Sequence, residues 1–171
     1  MMKKINSILF LDVASKTGWA ALIHDEKVAA GIDYKECGKL KTASGVHEIK
    51  AKRGESPSMR FRHFYVWVKN LVEAIMPDMI GYEQTHFRGG FATELLVGFT
   101  TRVSEIAATL DIDCTTIHSS TLKKFATGDG RAGKGAVVEA MKKRYPNITI
   151  IDDNHADALA GLGMLIQDHV Q

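Results

Sequence analysis

The run Ile8-Leu-Phe-Leu-Asp-Val13 constrains this chain more than any other feature. It is apolar and partly β-branched and predicts a buried strand. An aspartate inside or at the end of such a strand is costly to bury unless it is paired or metal-bound. Asp12 therefore marks a candidate site. The pattern recurs at Met79-Ile-Gly-Tyr82, a short apolar strand followed by Glu83. A third acid, Asp157, sits in Ala156-Asp-Ala-Leu-Ala160, among small residues suited to close helix packing. Asp153, four residues earlier, and Asn154, three earlier, can share a helix face with it.

Around these anchors, Ser15-Lys-Thr-Gly18 predicts a turn and residues 19–23 a second strand, forming a hairpin with the first. Residues 35–41 predict a third strand. Residues 42–57 are polar, contain Gly45, Gly54 and Pro57, and lack a period, so they read as a long loop or flexible arm. Phe61, Phe64, Val68 and Leu71 recur at helical spacing and predict a helix from near Ser58 to before Pro77. Residues 93–110 predict a second helix, with Leu96, Phe99, Val103 and Ile106 on one face. Residues 112–117 read as a strand, followed by Ser119-Ser120 as a cap for a short helix over 122–127. A break at Gly128-Asp-Gly130 precedes a helix over 134–145, stopped by Pro146. A brief strand-like run at 149–151 and a closing helix over 154–168 complete the chain. Three meandering strands followed by alternating helices and strands predict an α/β fold, a mixed sheet with helices on both faces.

The 171 residues, 45% of them hydrophobic and 25% charged, suit one globular domain over 1–171 and exclude collagen-like or wholly disordered chains. The longest stretch without a polar side chain, residues 158–166, is far short of the ~20 that span a bilayer. The start is basic, but Asp12 interrupts the apolar stretch before a signal segment forms, so a cytoplasmic location and no membrane are expected. Cys37 and Cys114 fit no metal or redox spacing and are expected as buried or half-buried thiols of a reducing compartment. Net charge is only +2, but it is segregated. From Lys35 to Arg62 there are eight basic residues against three acids, and from Lys123 to Arg144 seven against two. From Pro146 onward there are four aspartates and no Lys or Arg. Such segregation suits a polyanion binder that reserves its acids for another task, although solvated helix faces produce the same pattern.

Two acids at strand ends and an acid pair at a helix start make an oxygen-ligand cluster for Mg²⁺ or Mn²⁺, one or two ions. Such ions can activate a water and stabilise the leaving oxygen at a phosphodiester. Taken singly, Asp12 could open a turn, Glu83 could pair with an arginine and Asp153 could cap a helix. All three of these roles at once are harder to sustain, because each carboxylate follows or interrupts an apolar run. His24, His47 and His63 show no ligand spacing. His86 follows Glu83 by three residues in a loop with Arg88-Gly-Gly90 and could contact a substrate, and His155 beside the acid pair could ligate a metal or point away. Gly128-Asp-Gly-Arg-Ala-Gly-Lys134 lacks the Gly-Lys-Ser/Thr ending of a nucleotide-binding loop, since Gly135 follows Lys134.

Leu9-Phe-Leu-Asp-Val-Ala-Ser-Lys-Thr-Gly-Trp19, Tyr82-Glu-Gln84, residues 122–137 and residues 153–160 together resemble the RuvC-type Holliday-junction resolvases, particularly their bacteriophage-encoded branch. The resemblance runs in order from about residue 8 to 166. It implies a ribonuclease H-like fold, a homodimer, and Mg²⁺- or Mn²⁺-dependent nicking of four-way or other branched DNA. In a phage-encoded protein that work is done in the cytoplasm of a bacterial host.

The family's metal-binding and catalytic acids fall on Asp12, Glu83 and Asp157. The fourth position falls on Asp153, with Asn154 and His155 as rivals, because the family's acid or histidine three residues before the last aspartate is Asn154 here. The family's lysine pair falls on Lys123 and Lys134, which the resemblance assigns to phosphate binding and to charge stabilisation, Lys134 being catalytic. The aromatic that follows Glu-Gln is displaced by one residue, so His86 holds its place and Phe87 comes next, available to stack on an unpaired base. Lys52 and Arg53 of the arm, Arg88 and the 123–144 region would track DNA backbones. A ribonuclease H-like nuclease acting on RNA or RNA–DNA hybrid shares the acid cluster. A non-catalytic branched-DNA-binding module would follow if Asn154 abolished metal binding.

Overall fold

The computed structural model describes residues 4–23, 35–37, 40–85 and 89–170, the side chains of Glu36 and Cys37 excepted. Among these the chain runs β1 (Ile8–Asp12), β2 (Lys16–Ile23), β3 (Lys35–Cys37), β4 (Leu40–Glu48), α1 (Met59–Ile75), β5 (Met79–Glu83), α2 (Gly90–Thr109), β6 (Asp113–Ile117), α3 (Ser119–Thr127), α4 (Lys134–Arg144) and α5 (Asp153–His169). The strands form one sheet in the order β3-β4-β2-β1-β5-β6. β1 is antiparallel to β2 but parallel to β5, and β5 is parallel to β6, so the sheet is mixed.

Strand alternation sorts the core into two halves. On one face, Ile8, Phe10, Ala20, Leu22 and Met79 pack with Ala156, Leu159, Leu162 and Leu165 of α5. On the other, Leu9, Leu11, Ala21 and Ile80 pack with Phe64 and Val68 of α1 and Phe99 and Val103 of α2. Helices therefore cover both faces, as expected. The sheet's start is held by the Asp78 carboxylate, which accepts the backbone N–H groups of Asn6 (2.9 Å) and Ser7 (3.0 Å) and so ties the entry to β1 against the entry to β5.

Several expectations need correction. The stretch expected as an arm over 42–57 begins as strand, since β4 runs to Glu48 and pairs with β2 from Lys16↔Glu48 to Ile23↔Lys41, and is irregular only after it. Its polar composition is misleading because Thr42 and Ala43 are buried, and Gly45, with no side chain, lies against the Trp19 indole. Only the residues between β4 and α1 remain irregular. The third strand expected over 35–41 is two strands, β3 and the start of β4, paired antiparallel. No strand forms at 149–151; the Ile151 N–H is donated to the His155 imidazole instead of to a ladder. The cap of α3 is His118 rather than Ser119-Ser120, its Nδ1 accepting the Ser120 N–H, because the helix begins at Ser119 itself. Cys114 is exposed on the edge strand β6, not buried, while the Cys37 side chain lies outside the described residues.

Candidate active site

Asp12 is the last residue of β1 and Glu83 the last of β5. These parallel neighbours pair Leu11 with Tyr82, which sets the two carboxylates side by side at the carboxyl ends of adjacent strands. Phe10 and Gly81, two residues before each acid, touch α5. Alternation then turns Asp12 and Glu83 to the α5 face as well. The first turns of α5 present Asp153 and Asp157 to the same place, four residues apart on one helix side.

The electrostatics report the crowding. Burial holds the Asp12 carboxyl well above the ordinary aspartate range, and Asp157, Glu83 and Asp153 push it further up. Asp157 is pushed up to about 6, first by burial, then by Glu83 and Asp153, with Lys134 and Lys123 opposing. Lys134, at the start of α4, forms an ion pair with Asp153, which holds that carboxyl below its usual range and the ammonium above its own. The expected acids and both expected lysines are thus brought together.

The start of α5 is fixed by contacts that the sequence did not reveal. Asp152 caps the helix by accepting the His155 N–H at 2.9 Å, and its other oxygen lies 2.6 Å from the Lys16 ammonium in the β1–β2 turn. Gly18, the cross-strand partner of Asp12, lies so close beneath α5 that a Cβ there would sit 2.0 Å from the Asn154 carbonyl oxygen. The His155 ring is buried, and its Nδ1 accepts the Ile151 N–H at 3.2 Å. Its charged neighbour is Asp152 rather than the acid cluster. His155 thus braces the helix start from behind the cluster. The only advance sign of this arrangement was an aspartate just before a small-residue helix, a common capping pattern.

A cavity of about 330 Å³ opens beside Asp12 and Glu83, lined also by Thr85, Thr93 and Leu96. His86, Phe87 and Arg88, expected as DNA contacts, lie outside the described residues. Lys52 and Arg53 are exposed in the stretch after β4 and are not among the charges that act on the cluster. Among the described residues, no three His, Cys, Asp or Glu side chains are drawn close enough to hold a metal ion as they stand. The donor chemistry nevertheless fits a hard divalent cation: carboxylate oxygens, partly desolvated and raising one another's pKa, are the groups such an ion would neutralise.

No protein-family model matches the chain. It is similar to the crossover junction endodeoxyribonuclease RuvC of Rickettsia bellii, 27% identical over 133 residues, covering 74% of this chain and 81% of that protein. It is also similar to RuvC of a Wolbachia from Brugia malayi, 26% identical over 149 residues and covering 85% and 84%. In structure it resembles Thermus thermophilus RuvC with a TM-score of 0.69 at 15% identity, covering 95% of this chain and 96% of that one. The same Thermus protein in complex with a Holliday-junction substrate gives a TM-score of 0.70 at 15% identity, covering 91% and 90%. The fold is therefore the ribonuclease H-like α/β fold as RuvC carries it. These sequence relatives and structural neighbours are all named RuvC, and the likeness to them runs over most of the chain.

Proposed function

We propose that this chain is a metal-dependent endonuclease that nicks four-way (Holliday) and other branched DNA by hydrolysing phosphodiester bonds. The observation that carries the reading is the convergence of Asp12, Glu83 and Asp157 on one face at the strand ends, with Asp157 pushed up to about 6 by burial and neighbouring carboxylates. A cluster under that strain is poorly suited to a purely structural role and well suited to a cation. Relatives named crossover junction endodeoxyribonuclease, and a structural neighbour bound to a Holliday junction, support the substrate class.

Asp12, Glu83, Asp157 and Asp153 would hold one or two Mg²⁺ or Mn²⁺ ions. Bound there, the metal supplies water activation and neutralises charge on the phosphate. The chain's own residues do the rest. The acids would orient the attacking water opposite the leaving oxygen; the water would give one proton to solvent as its oxygen bonds to phosphorus, the ester P–O bond would break, and the departing oxygen would take a proton from solvent. Lys134 leaves Asp153 to meet the charge that builds on the phosphate, and Lys123, close enough to act on Asp157, binds the backbone beside it. Phe87, His86 and Arg88, which follow Glu83 in the sequence, would meet the open junction centre.

Residues 1–171 would work as one domain in a homodimer, because two-fold symmetry supplies the paired cuts a junction needs. Asp153-Asn-His-Ala-Asp157, with an asparagine three residues before the last aspartate, favours the bacteriophage-encoded branch and with it the cytoplasm of a bacterial host. Among the described residues, no helix is long and apolar enough to cross a membrane.

The test is a nicking assay on a labelled four-way junction, with linear duplex and RNA–DNA hybrid alongside, in Mg²⁺, Mn²⁺ and EDTA. Paired, metal-dependent nicks confined to the junction are expected. Cleavage of the hybrid alone would make the chain a ribonuclease H-like enzyme. Junction binding without cleavage in any metal would make it a recognition module.

A further inference from the structure

A cavity of about 770 Å³ lies between the end of β4 and the first half of α1, more than twice the 330 Å³ beside Asp12 and Glu83. Its floor is Trp67 of α1, on which the His47 imidazole stacks with 4.5 Å between ring centroids and 7° between planes. Phe64 packs against the same indole from the core, so Trp67 offers little free face for a base. Three cations line it, Lys50, Lys52 and Arg62, with two carboxylates, Glu48 and Glu55, both engaged. Glu55 is engaged, accepting the Lys52 backbone N–H at 2.7 Å and pairing with His63 at 2.8 Å. Lys50 is drawn to Glu48 at 2.9 Å. The Lys52 ammonium and the exposed Arg62 guanidinium pair with no carboxylate among the described residues.

The register puts this cavity at the acid end of the sheet. Asp12 pairs with Gly18, and Gly18 with Val46, the residue before His47. Two strand spacings are about 10 Å. Asp12 faces α5 and His47 faces α1, so a nucleic-acid strand leaving the acids crosses the ends of β2 and β4 to reach the cavity. At ~3.4 Å of rise per nucleotide, ~10 Å is about three nucleotides, and passing from one face of the sheet to the other adds about two more.

We propose that this cavity binds backbone phosphates of the junction arm flanking the cleaved strand, with Lys52 and Arg62 as the phosphate-binding groups. The inference rests on the junction-nuclease reading and adds a second contact site to it. Free cations over a floor already occupied by its own aromatic pair bind backbone rather than bases, so the contact positions the arm without reading its sequence.

The test uses the full chain and a labelled four-way junction in EDTA, with affinity measured across a salt series. The double variant Lys52→Ala/Arg62→Ala is expected to bind about tenfold more weakly at 0.1 M salt and to lose about two units of salt slope, one phosphate for each cation. Lys69→Ala, which removes a lysine paired with Glu73 on α1, serves as the charge control and should change neither quantity by as much. Once the wild-type cut is mapped, a neutral methylphosphonate at the third to fifth phosphate from it should weaken the wild type and leave the double variant unaffected. An unchanged slope in the double variant, or an equal loss in Lys69→Ala, overturns the proposal. So does methylphosphonate insensitivity combined with polyglutamate binding that depends on Lys52 and Arg62, which would give the cavity to an acidic polypeptide. Failure of the wild type to prefer a junction over duplex would instead sink the junction reading, since the slope on duplex still reports backbone contacts. Both side chains are exposed, so matched melting temperatures confirm that the variants fold.

Discussion

The two faces of the sheet are packed on different principles. Against α1 and α2 the core is built from large rings: Phe64 and Phe99 stack at 4.4 Å, and Phe61 meets Phe99 edge-on at 5.9 Å. Against α5 the core is mostly aliphatic, and at the acid end it closes on a missing side chain. A Cβ added at Gly18 would sit 2.0 Å from the Asn154 carbonyl oxygen, backbone against backbone, whereas one at Gly98 on the other face would meet the Phe61 ring. Rings can shift and refill space at modest cost, whereas backbone set on backbone cannot give. The acids are on the second face. Their spacing is set by contacts with almost no slack, which the proposed metal site would require.

The largest effect expected is at the acids themselves. Asp12→Asn should lower nicking by about a thousandfold or more while junction affinity in EDTA stays near wild type, since the basic surfaces remain. Wild-type cutting would remove Asp12 from the site. Lys134→Ala should slow cleavage by about a hundredfold with little loss of binding, measured in single-turnover reactions. An unchanged rate would leave Lys134 as no more than the partner of Asp153. The contrast between the faces is tested directly by Gly18→Ala and Phe99→Leu. The first forces α5 away from β2 and should cost about tenfold or more in rate even where the protein remains folded. The second should lower stability by about 1–2 kcal/mol and leave the rate of the folded protein alone. Equal rate losses, scaling only with stability, would break the comparison.

Legibility followed the same division. β1, β5, α1 and α5 could be read because unbroken apolar runs and three-to-four-residue spacing fit few local structures besides a buried strand and an amphipathic helix. The acids were visible because each ends or interrupts such a run. β4 was hidden because its buried positions are Thr42 and Ala43 and its pairing with β2 carries no apolar stripe. The bracing of α5 was hidden for a different reason. Lys16 and Asp152 lie at opposite ends of the sequence, and only the fold brings them to 2.6 Å. His155 was ambiguous in the string Asp153-Asn-His-Ala-Asp157 because neighbouring helix positions point about 100° apart. The structure buries it behind the cluster, with its Nδ1 on the Ile151 N–H.

The smallest effect sharpens the comparison most, because it measures the strain at the acids without any cleavage. In metal-free protein, Asp157 moves from an ordinary value of 3.8 to about 6, and Asp12 shifts in the same direction. A carboxyl whose folded pKa is raised binds more protons folded than unfolded. Its full stability is therefore present below about pH 4 and is lost as pH rises through the folded value. Other groups bend the whole-protein profile the opposite way. The depressed Asp153 and Glu55 lose their contribution only in acid, and the half-buried His47 and buried His155, with lowered pKa, weaken the fold as pH falls past the ordinary histidine value. A difference between two variants removes these shared terms. Asp12→Asn should melt near the wild-type temperature at pH 4 in EDTA and several degrees higher at pH 7, at about 2–4 °C per kcal/mol for a chain of this size. Mg²⁺ or Mn²⁺ should raise the wild type at pH 7 and close the gap, because the ion neutralises the repulsion that the substitution removes. A gap that does not grow between pH 4 and pH 7 would mean that the Asp12 carboxyl is not crowded by Asp157 and Glu83, and the face packed on glycine would then lose its claim to hold them together.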